Sequence, residues 1–144
     1  MNIRNPELAP CGIFCGACPS FQKTCYGCSS EDSRQKRGSK WKCWVRICCY
    51  EERKLDYCIY CEEFPCRKIR KKLLANHSGD ARYHYRHEIP LFFPHLKTKG
   101  VEEYHRELTE RWKCPECGGI IHFFTYKCAR CGKEMTIEDI GDFL

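Results

Sequence analysis

The sequence predicts a small, metal-stabilised α+β fold with little regular sheet, and three observations support this. The chain has 144 residues and 15 cysteines. Because those cysteines are counted within the hydrophobic 42%, the remaining apolar residues make a thin core for this length. Five cysteine pairs have two intervening residues, the spacing of metal-binding turns. We therefore expect a cysteine-rich knuckle module with short helices and a C-terminal zinc-ribbon β-hairpin.

Composition excludes several classes of protein. No apolar run approaches the ~18 residues that would cross a bilayer, so we expect no contact with a membrane. The segment Met1 to Pro10 lacks the apolar stretch of a secretory signal, which favours a cytoplasmic protein. In a reducing compartment, so many cysteines indicate metal sites rather than disulfides. Aromatic residues make up 13% of the chain, too many for a disordered one.

The first predicted part, residues 1–72, is a metal-binding module with eleven cysteines. Two residues between thiols allow a tight turn to direct both sulfurs at one cation. One predicted site uses Cys15, Cys18, Cys25 and Cys28. A second uses Cys58, Cys61 and Cys66, completed by Cys48 or Cys43, and Cys11 is an alternate ligand in either.

Within this module the sequence also predicts secondary structure. Residues 29–42 are polar and rich in turn formers, which predicts an exposed loop. A short helix is expected from Val45 to Leu55. A second helix should begin at Pro65 and end near Asn76, because proline is favoured at the first helical position. Its N-terminus would place Cys66 where the helix dipole stabilises a thiolate ligand.

The second predicted part, residues 73–112, is a helical connector. Val101, Tyr104, Leu108 and Trp112 recur at helical spacing and predict an amphipathic helix. Gly100 should separate this helix from a preceding helical segment that contains Phe92, Phe93 and Leu96.

The third predicted part, residues 113–144, is the zinc ribbon. Cys114, Cys117, Cys128 and Cys131 form two knuckles, with strand-forming residues between them. Gly118 and Gly132 each follow the second cysteine of a pair, where the turn needs a positive φ that glycine tolerates. His122 is expected to be an exposed strand residue, since four cysteines already complete a tetrahedral site.

Several of these segments resemble a known family. The opening Cys11–Pro19, which reads CGIFCGACP, resembles the CGxxCxxCP start of an uncharacterised prokaryotic domain of unknown function. The stretches Cys43–Cys48 and Cys58–Cys66 are similar to its second half, and Arg111–Pro115 is similar to the junction before a C-terminal ribbon in some members. The resemblance implies metal binding, usually of zinc, and no known reaction. Cys49 is an addition to the family's cysteines and so our first candidate for a free thiol.

Charge leaves two readings open. The formal net charge is +6. One basic run, interleaved with Trp41 and Trp44, could bind nucleic acid; it comprises Arg34, Lys36, Arg37, Lys40, Lys42 and Arg46. A second run lies at residues 67–72. However, four thiolates around Zn²⁺ carry a net −2, so three such sites would offset the formal charge.

The sequence therefore predicts a binder of about three zinc ions, with an adaptor or interaction role toward an unknown protein or nucleic acid. An iron–sulfur redox protein is the first alternative, since thiolate-only sites accept either metal. A nucleic-acid-binding protein that uses residues 34–46 is the second. His84 and His87 could share a helix face, but two histidines without a third ligand are more often structural. No catalytic triad or phosphate loop is present, so nothing in the sequence requires an enzyme.

Overall fold

The structure is a computed structural model that describes residues 4–21, 23, 25–30 and 42–141. Within these residues it contains short helices and isolated β-bridges but no strand, so the predicted α+β fold with a ribbon hairpin is wrong. Three antiparallel bridges lie in the C-terminal segment, and they join Lys113 to Ile120, Ile121 to Cys128, and Lys127 to Glu134. A ladder does not extend from them because the chain leaves the extended conformation at Phe124 and Tyr126, where φ is 73° and 55°.

The helices are short. We number them α1 (Trp44–Ile47), α2 (Arg67–Ile69), α3 (His84–His87), α4 (Ile89–Phe92), α5 (Pro94–Lys99), α6 (Val101–Arg111) and α7 (Ile137–Ile140). Single 3₁₀ turns occupy Cys15–Ala17, Cys58–Tyr60 and Ala81–Tyr83, and π turns at Cys48–Glu52 and Arg70–Leu74 extend α1 and α2. Among the described residues, no helix has the length and apolar character to cross a membrane.

The predicted helices are largely confirmed. The segment from Val45 to Leu55 is helical up to Glu52. The helix expected from Pro65 begins two residues later, because Cys66 keeps an extended backbone and caps α2. Gly100, with φ of 96°, separates α5 from α6 as expected. In α6, Tyr104 and Leu108 are buried along one face.

One continuous core spans the chain from Leu8 to Cys128. Phe93 is fully buried, and its ring lies edge-on to those of Tyr57 and Phe64. The Phe123 ring stacks on that of Tyr85 with centroids 3.9 Å apart, which packs the C-terminal segment against α3. The division into residues 1–72, 73–112 and 113–144 stays a prediction, but all three parts contribute side chains to this core.

Gly12 provides a first testable prediction about this core. Its φ is 101°, and a Cβ there would lie 2.7 Å from Cδ2 of the buried Phe93. We expect Gly12→Ala to lower the free energy of unfolding by about 2–4 kcal/mol, because backbone strain and overpacking add. Urea denaturation measures this. Gly79→Ala is the matched control, since Gly79 has φ of 79° but open space around it. Equal losses in both variants would contradict the role of the Phe93 contact.

Candidate metal centre

The C-terminal cysteines converge on one point. The sulfurs of Cys114, Cys117, Cys128 and Cys131 all lie within 4.8 Å of one another. The Sγ atoms of Cys114 and Cys131 are 3.7 Å apart, and those of Cys117 and Cys128 are 3.4 Å apart. Cys114 and Cys128 are buried, whereas Cys131 is exposed, so the cluster lies at the edge of the core. Such an arrangement could hold a metal ion.

Two tight turns build this cluster. The amide of Gly118 donates to the carbonyl of Cys114 and the amide of Gly132 to that of Cys128, each at 3.0 Å. Both glycines have φ of 77°, which confirms the conformation predicted for them. The amide of Ala129 donates to the carbonyl of Ile120 at 2.8 Å and so holds one turn beside the other. Isolated β-bridges therefore bring the two cysteine pairs together, as a hairpin was expected to do.

Backbone amides favour the thiolate form of two of the four cysteines, Cys114 and Cys128. The amide of Gly119 lies 3.4 Å from Sγ of Cys117, and the amide of Arg130 lies 3.3 Å from Sγ of Cys128. Hydrogen bonds from the amides of Cys131 and Arg130 lower the pKa of Cys128 to about 6. The amides of Cys117 and Glu116 likewise lower the pKa of Cys114. Because metal ligation requires thiolates, this backbone geometry suits a cation.

Gly119 allows the two turns to approach closely. A Cβ at this position would lie 2.8 Å from Cβ of Arg130 and only 3.1 Å from Sγ of Cys128. Any larger residue would press on the sulfurs. Gly119 was not among the residues predicted to matter for the site, although it is part of a Gly118-Gly119 pair directly after Cys117.

His122 lies outside the four-cysteine cluster, and it is half-buried rather than exposed. Its amide donates to the carbonyl of Lys127 at 3.0 Å, which fixes the turn between the two cysteine pairs. Desolvation, with a smaller contribution from Lys23, lowers the pKa of the His122 imidazole. The residue is therefore part of the packing beside the cluster.

The N-terminal cysteines lie in smaller groups. The thiols of Cys15 and Cys28 hydrogen-bond to each other, and this contact, followed by burial, raises the pKa of Cys15. Burial is the largest cause of the raised pKa of Cys11, and electrostatic interactions with Cys28 and Cys43 raise it further. Within the described chain, no second set of three or more metal-binding groups lies within 4.8 Å. The two sites predicted for residues 1–72 stay predictions.

Cys49 is more closely engaged than expected of a free thiol. It is 2% exposed, and its thiol donates to the carbonyl of Leu55 at 3.3 Å. A hydrogen bond with Cys49 is the largest cause of the raised pKa of Cys58. Sequence reasoning missed this contact, because the π turn that orients Cys49 has no signature in the residues themselves.

The basic run proposed for nucleic-acid binding is only partly described. Arg34, Lys36, Arg37, Lys40 and Trp41 lie outside the described residues. Lys42 and Trp44 are exposed, but Arg46 is buried, and its Nε donates to the carbonyl of Cys28 at 2.7 Å. The guanidinium of Arg46 thus supports the cysteine-rich module instead of facing a phosphate.

His84 and His87 have different polar neighbours. His84 lies 3.7 Å from a carboxylate oxygen of Glu88, while Nε2 of His87 lies 2.9 Å from the carbonyl of Asn76. Both contacts are consistent with structural histidines.

Comparison with known proteins finds a family model that matches part of the chain. Residues 7–71 match the family described as "Protein of unknown function (DUF3795)". This confirms the resemblance seen in Cys11–Pro19 and Cys58–Cys66. No curated protein and no solved structure matches the chain. The four-cysteine cluster at residues 114–131 lies beyond the matched range.

Proposed function

We propose that this chain, whose residues 7–71 match DUF3795, is a zinc-binding protein with a structural C-terminal site and an adaptor or interaction role. The observation that carries the proposal is the convergence of four cysteine sulfurs within 4.8 Å. A set of four thiolates in two tight turns is the donor set of structural zinc sites.

The donor set also indicates what this site does. Thiolate ligands select zinc or iron over hard cations such as magnesium and calcium. Four cysteines complete a tetrahedral shell and leave no position for water or substrate, so bound zinc would stabilise rather than catalyse. The protein would then act through an interaction surface whose structure the bound metal stabilises. We propose about three zinc ions per chain, the other two in residues 1–72.

Local charge supports further thiolate sites in the N-terminal half. Arg53 and Lys68 both have a raised pKa, and in each case a hydrogen bond to Cys48 is the largest cause. Two cationic side chains therefore lie beside one of the predicted ligands. Part of the formal charge of +6 would thus offset metal-bound thiolates.

Metal content tests the proposal. Elemental mass spectrometry on anaerobically purified protein should find about three zinc atoms per chain, without absorption near ~400 nm. The double variant Cys117→Ser/Cys131→Ser should lose one zinc per chain, because two remaining thiolates cannot close the site.

His122→Gln is the matched control, since His122 lies beside the cluster without belonging to it, and it should keep all its zinc. An unchanged zinc count in the double variant would contradict the site. Iron together with sulfide in the purified protein would contradict the structural reading and favour the iron–sulfur alternative.

A further inference from the structure

A second feature of the molecule is an open pocket on the surface of residues 48–75, away from the four-cysteine cluster. Its volume is about 740 Å³. The π turn that follows α1 forms part of its wall, and α2 with its own π turn forms much of the rest. This volume falls within the range of about 300–1,000 Å³ that holds small molecules and cofactors.

The pocket is strongly basic. Five cationic side chains and one carboxylate line it, together with three cysteines. Two of the cations already have partners, since Arg53 pairs with Glu63 and Lys68 lies 3.6 Å from Glu52.

The other three cations, Arg67, Arg70 and Lys71, are exposed. Arg70 and Lys71 lie three and four residues after Arg67, which places all three on one side of the helix. Among the described residues, neither Arg67 nor Arg70 has a carboxylate partner. Guanidinium groups can donate paired hydrogen bonds to phosphate oxygens, so two of them on one helical face suit a phosphate group.

An aromatic side chain lies next to one of the cations that line this pocket. Trp44 is 40% exposed, one of two large apolar residues that are exposed in the described chain. The ammonium of Lys71, which lines the pocket, lies 5.5 Å from the centroid of the Trp44 ring. An exposed indole beside a basic pocket is a platform on which a flat base can stack.

We propose that this pocket binds a nucleotide-sized small molecule, with its phosphates on Arg67 and Arg70 and its base on Trp44. Charge provides the attraction, since the unpaired guanidinium groups favour an anion. The indole supplies preference for a ligand that carries an aromatic base over a bare phosphate. The pocket shares no residue with the C-terminal cluster, but Cys48, Cys61 and Cys66 in its wall are predicted ligands of a zinc site in residues 1–72, so the pocket adjoins that site.

Titration calorimetry on the zinc-loaded full-length protein tests this, with ADP and inorganic pyrophosphate as the probes. We expect saturable binding of both, tighter for ADP. The variant Arg67→Gln/Arg70→Gln should weaken the binding of each about tenfold or more, since charge-assisted hydrogen bonds to phosphate are lost. The variant Lys97→Gln/Arg106→Gln is the control, because it removes the same charge from exposed positions outside the pocket.

Trp44→Leu separates the two parts of the site. It should weaken binding of ADP several-fold and leave binding of pyrophosphate unchanged, because only the base stacks. The absence of saturable binding of either probe would overturn the proposal, as would equal weakening in the Arg67/Arg70 and control variants. Binding of a single-stranded oligonucleotide without binding of ADP would also overturn it, in favour of a nucleic-acid surface.

The C-terminal zinc site and the pocket are tested by different variants and different measurements. Cys117→Ser/Cys131→Ser tests the zinc site by metal content, and zinc measured in each pocket variant should equal that of the unaltered protein. Loss of zinc in Arg67→Gln/Arg70→Gln would overturn the pocket proposal, because those arginines would then serve a metal site.

Discussion

Removal of zinc by a strong chelator at neutral pH should unfold the chain. Apparent binding free energies of structural zinc are about 10–16 kcal/mol in small peptides, which exceeds or equals the ~5–15 kcal/mol stability of a whole domain. The four-cysteine segment is not an isolated appendage here. Phe123 stacks on Tyr85, and its amide donates to the carbonyl of Ala17 at 3.0 Å, so the loss of this segment opens the common core.

Circular dichroism and thermal unfolding, recorded before and after chelation, measure this effect. We expect loss of the near-ultraviolet signal, since the buried Trp112 lies 6.1 Å from Phe123 and would leave its packed environment. Readdition of zinc should restore the signal in the unaltered protein and not in Cys117→Ser/Cys131→Ser. A chelated protein that has lost its zinc but keeps its spectrum and melting temperature would show that the metal has no structural role.

The second large effect is expected from a buried ion pair, Glu88 with Arg111. Nη2 of Arg111 donates to both carboxylate oxygens of Glu88, at 2.9 and 2.7 Å, and the side chains are only 5% and 9% exposed. The same guanidinium nitrogen donates to the carbonyl of Gly141 at 2.8 Å, so Arg111 connects the end of α6 to the residue after α7. Glu88→Gln would remove the charge of this carboxylate from beside a largely buried guanidinium. We expect a loss of about 3–5 kcal/mol in the free energy of unfolding.

Such a loss would lower the melting temperature by roughly 10 °C or more in a chain of this size. Glu103→Gln is the matched control, because Glu103 pairs with Arg106 on the exposed side of α6 and should tolerate the change. A Glu88→Met/Arg111→Met variant should recover part of the stability, since neither charge is then left alone. A similar melting temperature for Glu88→Gln and Glu103→Gln would contradict a structural role of the buried pair.

Local signals predicted local structure well. The positions of Gly118 and Gly132 after paired cysteines predicted positive φ, because the turn conformation depends on a few consecutive residues. The spacing of Tyr104 and Leu108 predicted the buried face of α6, and Gly100 predicted its start. The convergence of the four C-terminal cysteines also followed from two local turns with a short connection.

Non-local structure was predicted poorly. Apolar residues from Ile120 to Tyr126 suggested strands, but Phe123 and Phe124 turn toward the aromatic side chains of residues 83–85 instead. The chain makes these ring contacts where its backbone leaves the extended conformation, and it keeps isolated bridges instead of a ladder. The contact between Cys49 and Cys58 likewise depends on how two distant turns pack.

The sequence by itself determined where the C-terminal cysteine turns lie, which cysteines form the cluster and where α6 begins. These properties arise from residues within a few positions of each other, where φ and capping preferences act directly. Only the tertiary structure decided that Arg46 is buried and that the Arg111 side chain is only 9% exposed, while Arg67 and Arg70 remain exposed in a pocket. All four lie in basic or mixed segments of the sequence. Whether each is buried or exposed depends on which distant carbonyl or carboxylate the fold places beside its guanidinium.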